Sequence, residues 1–214
     1  MATTSKSINA GRSQADGQRL MAASRQDSTT RDRIHRIAAE LFARNGYHAT
    51  GMAELSDAVQ LGRGALYYHI NSKESVLYAI SVGTITHLLG SAREIVARDD
   101  PAPDKVRTLA RELMKNIASY SNEWTVFFRE HIALTGQWRD DVMHKRKEYE
   151  ALWWNVLNTG VERGEIVPLE PIVTKGILGM FNYSYLWLRP RGDLSPEEVA
   201  DQFCRILLSG LEPR

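Results

Sequence analysis

The chain reads as all-α, with a three-helix N-terminal unit followed by a larger helical domain, about nine helices in total. Three observations predict this. Apolar residues recur at i, i+3, i+4 and i+7 in the segments long enough to show a period. Helix starts carry Asn, Ser or Pro signals with Glu in the first turn, and stops carry Gly. No run alternates apolar and polar residues as a half-buried strand would, and no pair of such runs is joined as a hairpin.

Residues 1–27 are rich in Ser, Thr, Ala, Gly and Gln without an apolar period, and are expected to form a mobile, mildly basic tail. Ile34, Ile37, Ala38, Leu41 and Phe42 form one stripe of a first helix over Thr30–Asn45, ended by Gly46. Thr50 is the expected cap of a second helix with Met52, Leu55 and Val59 on one face. A turn at Gln60–Gly62 leads into a third helix, Arg63–His69, in which Leu61, Ala65 and Leu66 can turn inward. Asn71 and Glu74 have capping-box spacing and start a fourth helix that continues to about Arg98, before Asp99-Asp100-Pro101. Later helices are expected at Asp104–Ser121, Asn122–Thr135, Trp138–Arg163, Glu170–Leu188 and Pro196–Leu211. The last has the clearest start, with Ser195 as cap, Pro196 at the first helical position and Glu198 three residues after the cap.

Composition excludes several classes. The chain has 214 residues, 43% apolar and 25% charged, enough for a real core. One cysteine, Cys204, allows neither an internal disulfide nor a cysteine-cluster zinc site, and on an apolar stripe it reads as a structural thiol. No uninterrupted run of eighteen apolar residues occurs and the polar N-terminus has no apolar signal core, so no membrane partner and a cytoplasmic location are expected. Asp140, Asp141 and His144 are the only hint of a metal site. They lack a second half, and there is neither a His-Glu-x-x-His motif nor a Gly-x-Ser-x-Gly elbow, so neither catalysis, a metal nor a cofactor is expected.

The densest chemistry lies in Thr50–Glu74. Net charge is only +1, but ten Lys and Arg stand against seven Asp and Glu up to Ser75. A helix fits the major groove of B-DNA, and its N-terminal residues reach base edges. Those residues are Arg63, Gly64 and Ala65: Arg63 can pair bidentately with guanine, Gly64 permits close approach, and the Ala65 methyl can meet a thymine methyl. Tyr67, Tyr68, His69 and Lys73 are placed to hold phosphates, and Thr50 can bind one at a helix N-terminus. Tyr67 and His69 also read as core or capping residues, with one tyrosine facing partly inward.

Asn45-Gly46-Tyr47, Thr50, Ala58, Leu61, Gly64, Leu66-Tyr67-Tyr68-His69 and Ser72-Lys73-Glu74 together resemble the N-terminal signature of TetR-family transcriptional regulators. The resemblance implies a helix-turn-helix DNA-binding domain over 28–74 and a ligand-binding and dimerisation domain over 75–214. It implies a homodimer on double-stranded palindromic operator DNA, and a four-helix interface built from the last two helices of each copy. The chain departs from the family at Gln60, where the turn usually holds Gly, at Gly62, where the cap is usually Ser or Thr, and at Ile70, where Phe is usual. Gln60 must accept the turn geometry, with strain if its φ is positive.

All five tryptophans follow residue 120, and Tyr149, Leu152, Trp153, Val156 and Leu157 share one helix face. Such a stripe is core or pocket wall. With Phe127 and Phe128, Tyr149 and Trp153 are the candidate apolar wall, and His131, Asn155 and Asn182 the candidate polar anchors. Glu148–Gly164, with Trp187-Leu188-Arg189-Pro190 and Gly192-Asp193-Leu194-Ser195, is similar to the actinobacterial sterol- and fatty-acid-catabolism repressors of this family. That similarity implies an acyl-CoA effector, with Arg146 of the Lys145-Arg146-Lys147 run among the cations available to its phosphates. The other effector class is a free hydrophobic drug or aromatic compound, with control of efflux.

Overall fold

The computed structural model describes residues 27–189 and 192–211. Every regular element among them is helical: α1 (27–45), α2 (Met52–Ala58), α3 (Arg63–His69), α4 (Lys73–Val96), α5 (Ala102–Ser119), α6 (Ser121–Glu130), α7 (Gly136–Glu162), α8 (Ile172–Asn182) and α9 (Pro196–Leu211). Short 3₁₀ turns extend α6 (His131–Ala133) and α8 (Tyr183–Leu186). The tail expected over 1–27 lies outside the described residues except for Asp27, which already belongs to α1.

Helices α1–α3 form a small head around Ile34, Phe42, Leu55, Val59 and Leu66, all buried. Helix α4 leaves the head and enters the body, where it packs against α5, α6 and α7, while α9 lies along α5. It is 24 residues long, and its most apolar 18-residue window has a mean hydropathy of 1.3, long and apolar enough to cross a bilayer. Half of that window is buried in the bundle, where Leu77, Ile85 and Leu89 are closed off from solvent. A helix apolar on several faces is satisfied by neighbours on several faces.

Two starts differ from the sequence reading. Thr50 does not cap α2; Gly51 does. Helix α4 is capped by Ser72, whose hydroxyl accepts from the Ser75 amide at 3.0 Å while the Ser72 amide donates to Ser75 Oγ at 3.0 Å. The Ser75 hydroxyl therefore completes the box expected of Asn71 and Glu74, and Glu74 is free to reach α7. At α9 the expected box is present, with Ser195 N donating to Glu198 Oε2 at 2.7 Å and Glu198 N to Ser195 Oγ at 3.2 Å.

Packing is tightest where α7 crosses the start of α5. A Cβ at Gly160 would lie 2.6 Å from Ala102 Cβ and 2.8 Å from Ile166 Cδ1, so no larger residue fits without displacement. Cys204 is buried and its thiol is pushed up to about 11 by desolvation, as befits an inert core residue.

Candidate DNA-reading head and effector cavity

The α2–α3 turn is closed by short polar contacts. Ser56 Oγ donates to the Leu61 carbonyl at 2.6 Å, and the Leu61 amide donates back to the Ser56 carbonyl at 3.1 Å. Gln60 adopts φ +56°, the left-handed geometry that favours glycine, so the strain foreseen at this position is present. Gly62 caps α3. Arg63, Gly64 and Ala65 are all exposed on its first turn, so Ala65 faces outward rather than toward the core. Both tyrosines are exposed, Tyr68 at 77% and Tyr67 at 46%, and neither turns into the core. Leu66 alone anchors the helix from its inner face.

Three of the residues expected at phosphates make contacts inside the head. Thr50 is 1% exposed, and its hydroxyl donates to the Gly46 carbonyl at 2.9 Å, holding the turn after α1. Lys73 is half-buried. Its ammonium donates to the Tyr47 and Thr50 carbonyls, each at 2.9 Å, and lies 4.4 Å from the centre of the Tyr47 ring. His69 turns inward, its Nδ1 2.8 Å from Asp27 Oδ1 but outside hydrogen-bond alignment, so α3 touches the start of α1 here. The common cause is burial. A polar side chain withdrawn from water in so small a head must satisfy backbone or side-chain partners there first. Only the spatial approach of α1 to α3, and of the turn after α1 to the start of α4, reveals Asp27 and Tyr47 as partners; their spacing in the chain carries no signal.

In the body, a cavity of about 580 Å³ opens between α6, α7 and α8. Trp124, Phe127, Phe128, Tyr149 and Tyr185 supply aromatic wall and Asn182 a polar anchor. Arg146 and Lys147 face the cavity from α7 and Lys175 from α8. Lys175 lies 3.6 Å from Glu150, whereas Arg146 and Lys147 have no acidic partner among the described residues. Burial raises the Tyr149 phenol far above its ordinary value. The Trp153 indole is near enough to oppose that shift but not aligned to donate, so both polar atoms are enclosed without a hydrogen bond.

Three expected ligand residues fall elsewhere. Trp153 is 0% exposed, packed between Tyr149 and Phe181, and belongs to the core behind the wall. His131 stacks on Phe127 one layer out from the cavity. Asn155 is on the opposite side of α7, beside Arg98, Lys105 and Arg163. The stripe 149–153–156–157 is therefore mainly core, and the cavity wall is the adjacent stripe 143–146–150. Lys175, Tyr183 and Tyr185 join it from α8 and its extension, which no local spacing could reveal.

Residues 34–80 match the family described as bacterial regulatory proteins, tetR family, and residues 99–211 match the tetracyclin repressor-like C-terminal domain. The transcriptional repressor KstR2 of Rhodococcus jostii is 30% identical over 82% of this chain and 87% of its own length. The solved structure of the ketosteroid transcriptional regulator KstR2 of Mycobacterium tuberculosis is 26% identical, with TM-score 0.80, covering 86% of this chain and 95% of that one. AibR, solved with isovaleryl coenzyme A and operator DNA, is 27% identical with TM-score 0.74, covering 83% of this chain and 97% of its own. These relatives are regulators and not enzymes. With an exposed α3 on a closed helix-turn-helix and matches over both parts of the chain, the protein belongs to the TetR family of transcriptional regulators.

Proposed function

We propose that the protein is a repressor that binds palindromic operator DNA as a homodimer and is released by an acyl-CoA thioester with an apolar acyl group. The observation that carries this reading is the cavity between α6, α7 and α8. It joins an aromatic wall to Arg146 and Lys147, two cations without an acidic partner, and to Lys175. An apolar acyl group fits the aromatic part, and phosphates complement the cations. AibR, a structural neighbour, is known with isovaleryl coenzyme A, which supports the same ligand class here.

On the DNA side, Arg63, Gly64 and Ala65 meet base edges while Tyr67 and Tyr68 meet phosphates. Thr50, His69 and Lys73 shape the head that presents them. The dimer face is the outer side of α8 and α9. Ile172 and Ile206 are each more than 60% exposed, and Leu186 and Trp187 are 45% exposed. Gly176 has open space where a side chain would project, which lets a second copy approach closely. A continuous apolar face of this kind needs a partner. Effector and operator then oppose each other by linkage, typically by roughly 1–3 kcal/mol.

Thermal-shift screening of acyl-CoA thioesters against their free acids tests the reading. Stabilisation selective for the thioesters, lost in Arg146→Ala, is expected. Equal stabilisation by free acids or apolar drugs, unchanged in Arg146→Ala, would replace it with a sensor of free hydrophobic compounds.

A further inference from the structure

A second cavity, also of about 580 Å³, lies where the head meets the body. Its walls come from α1 on one side and from α4, the end of α5 and the start of α6 on the other. Its chemistry is the reverse of the aromatic cavity. Asp32 and Glu40 face it from α1 and Glu123 from α6, against one guanidinium, Arg36. That guanidinium is already committed to Glu40 at 2.8 Å. The wall thus sets three carboxylates against one guanidinium.

Two further features point to an occupant. Asn116 is 6% exposed; its carbonyl oxygen accepts from Trp124 Nε1 at 2.8 Å, which fixes the amide orientation. The amide nitrogen has no acceptor among the described residues, yet the residue lines the cavity, so its donors are open to the space. Tyr120 offers a half-exposed ring at the same cavity, beside His87, with ring centres 6.3 Å apart. An aromatic face beside carboxylates that outnumber their cations is the arrangement that attracts ammonium groups. Glu123 makes no ion pair among the described residues. Burial first, and the nearby Glu40 charge second among the raising causes, lift its carboxyl above the ordinary range, and the Arg36 charge only partly opposes them. No group of three metal-ligating side chains occurs among the described residues, so the occupant is not a chelated metal ion.

We infer that this cleft binds a small organic amine, its ammonium held by Glu123 and Glu40 against the Tyr120 ring and a hydrogen-bond acceptor on the same molecule met by the Asn116 amide. Because α1 belongs to the head and α6 to the body, the occupied cleft restrains the head relative to the body. The amine is therefore a co-effector, acting at a site separate from the aromatic cavity and of opposite charge.

Calorimetry and hydrogen exchange on the full chain without DNA test this, using choline, putrescine and spermidine at ionic strength matched with sodium chloride. Saturable binding of at least one amine is expected, with slowed exchange in α1 and α6. Glu123→Gln, which keeps the shape of the side chain, should weaken it about tenfold, the loss of one charge-assisted contact. Tyr120→Leu should weaken it as well while unfolding as cooperatively as the wild type. The inference is overturned if none of the three amines binds, if both variants bind as the wild type does, or if protection appears only outside α1 and α6. None of these readouts depends on the acyl-CoA reading, so either can fail alone.

Discussion

Lys73 and Glu74, neighbours on the first turn of α4, hold opposite parts of the molecule. Lys73 Nζ donates to the Tyr47 and Thr50 carbonyls of the head, each at 2.9 Å. Glu74 Oε1 accepts from the Thr135 amide at 2.8 Å and the Thr135 hydroxyl at 2.9 Å, which ties it to the start of α7 in the body. Four residues on, Tyr78 stacks on Trp138 and donates to Asp141 Oδ2 at 2.9 Å, repeating the tie to α7. Helix α7, which carries Arg146 and Tyr149 of the cavity wall, is thus tied to α4 within one turn of the point where α4 grips the head.

Lys73→Met should destabilise the head by about 2 kcal/mol, the scale of hydrogen bonds made by a charged donor. DNA binding should fall for all sequences alike, through loss of head geometry. The slope of affinity against salt should stay unchanged, because the ammonium is held by backbone carbonyls of the head. A slope reduced by about one unit would place Lys73 on the DNA backbone after all.

Arg63→Ala should remove about 1–3 kcal/mol of discrimination at one base pair of each half-site while leaving non-specific affinity nearly intact. Binding measured against a set of single-substituted operators reads this directly. Uniform weakening across the set would move Arg63 from base edge to phosphate.

Gln60→Gly should stabilise the chain by about 1 kcal/mol, since the residue sits at φ +56° where a side chain is strained. Part of the gain is offset by the larger entropy of glycine in the unfolded chain. Chemical denaturation is the measurement, and a loss of stability would show that the Gln60 side chain compensates its own strain.

Gly160→Ala should cost about 1–3 kcal/mol by overpacking. The added methyl meets Ala102 Cβ and Ile166 at distances no relaxed contact allows. A double variant with Ile166→Val should recover part of the loss.

Acid should weaken the fold through its buried histidines. Burial, with the Arg146 charge adding to it, lowers His131 below its ordinary value of 6.5, and burial lowers His35 as well. The unfolded chain therefore takes up protons near that value while the folded chain does not. Stability is fully present above 6.5 and is lost as pH falls below it, until the lowered folded values are reached. Glu123, raised by burial, acts in the opposite sense at lower pH. Thermal melts of His131→Gln should show a smaller fall on acidification than the wild type, and an equal fall would assign the effect elsewhere.

Local signals were legible wherever structure is decided locally. The Ser195-Pro196-Glu198 start placed α9 at Pro196–Leu211, because a cap is settled by a few neighbouring residues. The expected eighth helix ran to Leu188, but α8 ends at Asn182 and tightens into a 3₁₀ turn. There Ser184 is buried with its hydroxyl 3.3 Å from Met114 Sδ, a contact seventy residues away along the chain. Apolar periodicity continues through such a change and gives no warning of it.

The sequence by itself determined the helical class, the position of the reading helix and the exposure of Arg63 and Gly64 on it, whereas the outward placement of Ala65 and of both tyrosines came from the packing of the head. Only the tertiary structure decided that Thr50, His69 and Lys73 serve the head from within, and that Trp153 and Asn155 stand outside the cavity. The same side chains can bind a ligand or satisfy a neighbour. Which they do depends on burial and on which carbonyl or carboxylate lies within 3 Å, and long-range packing alone sets both.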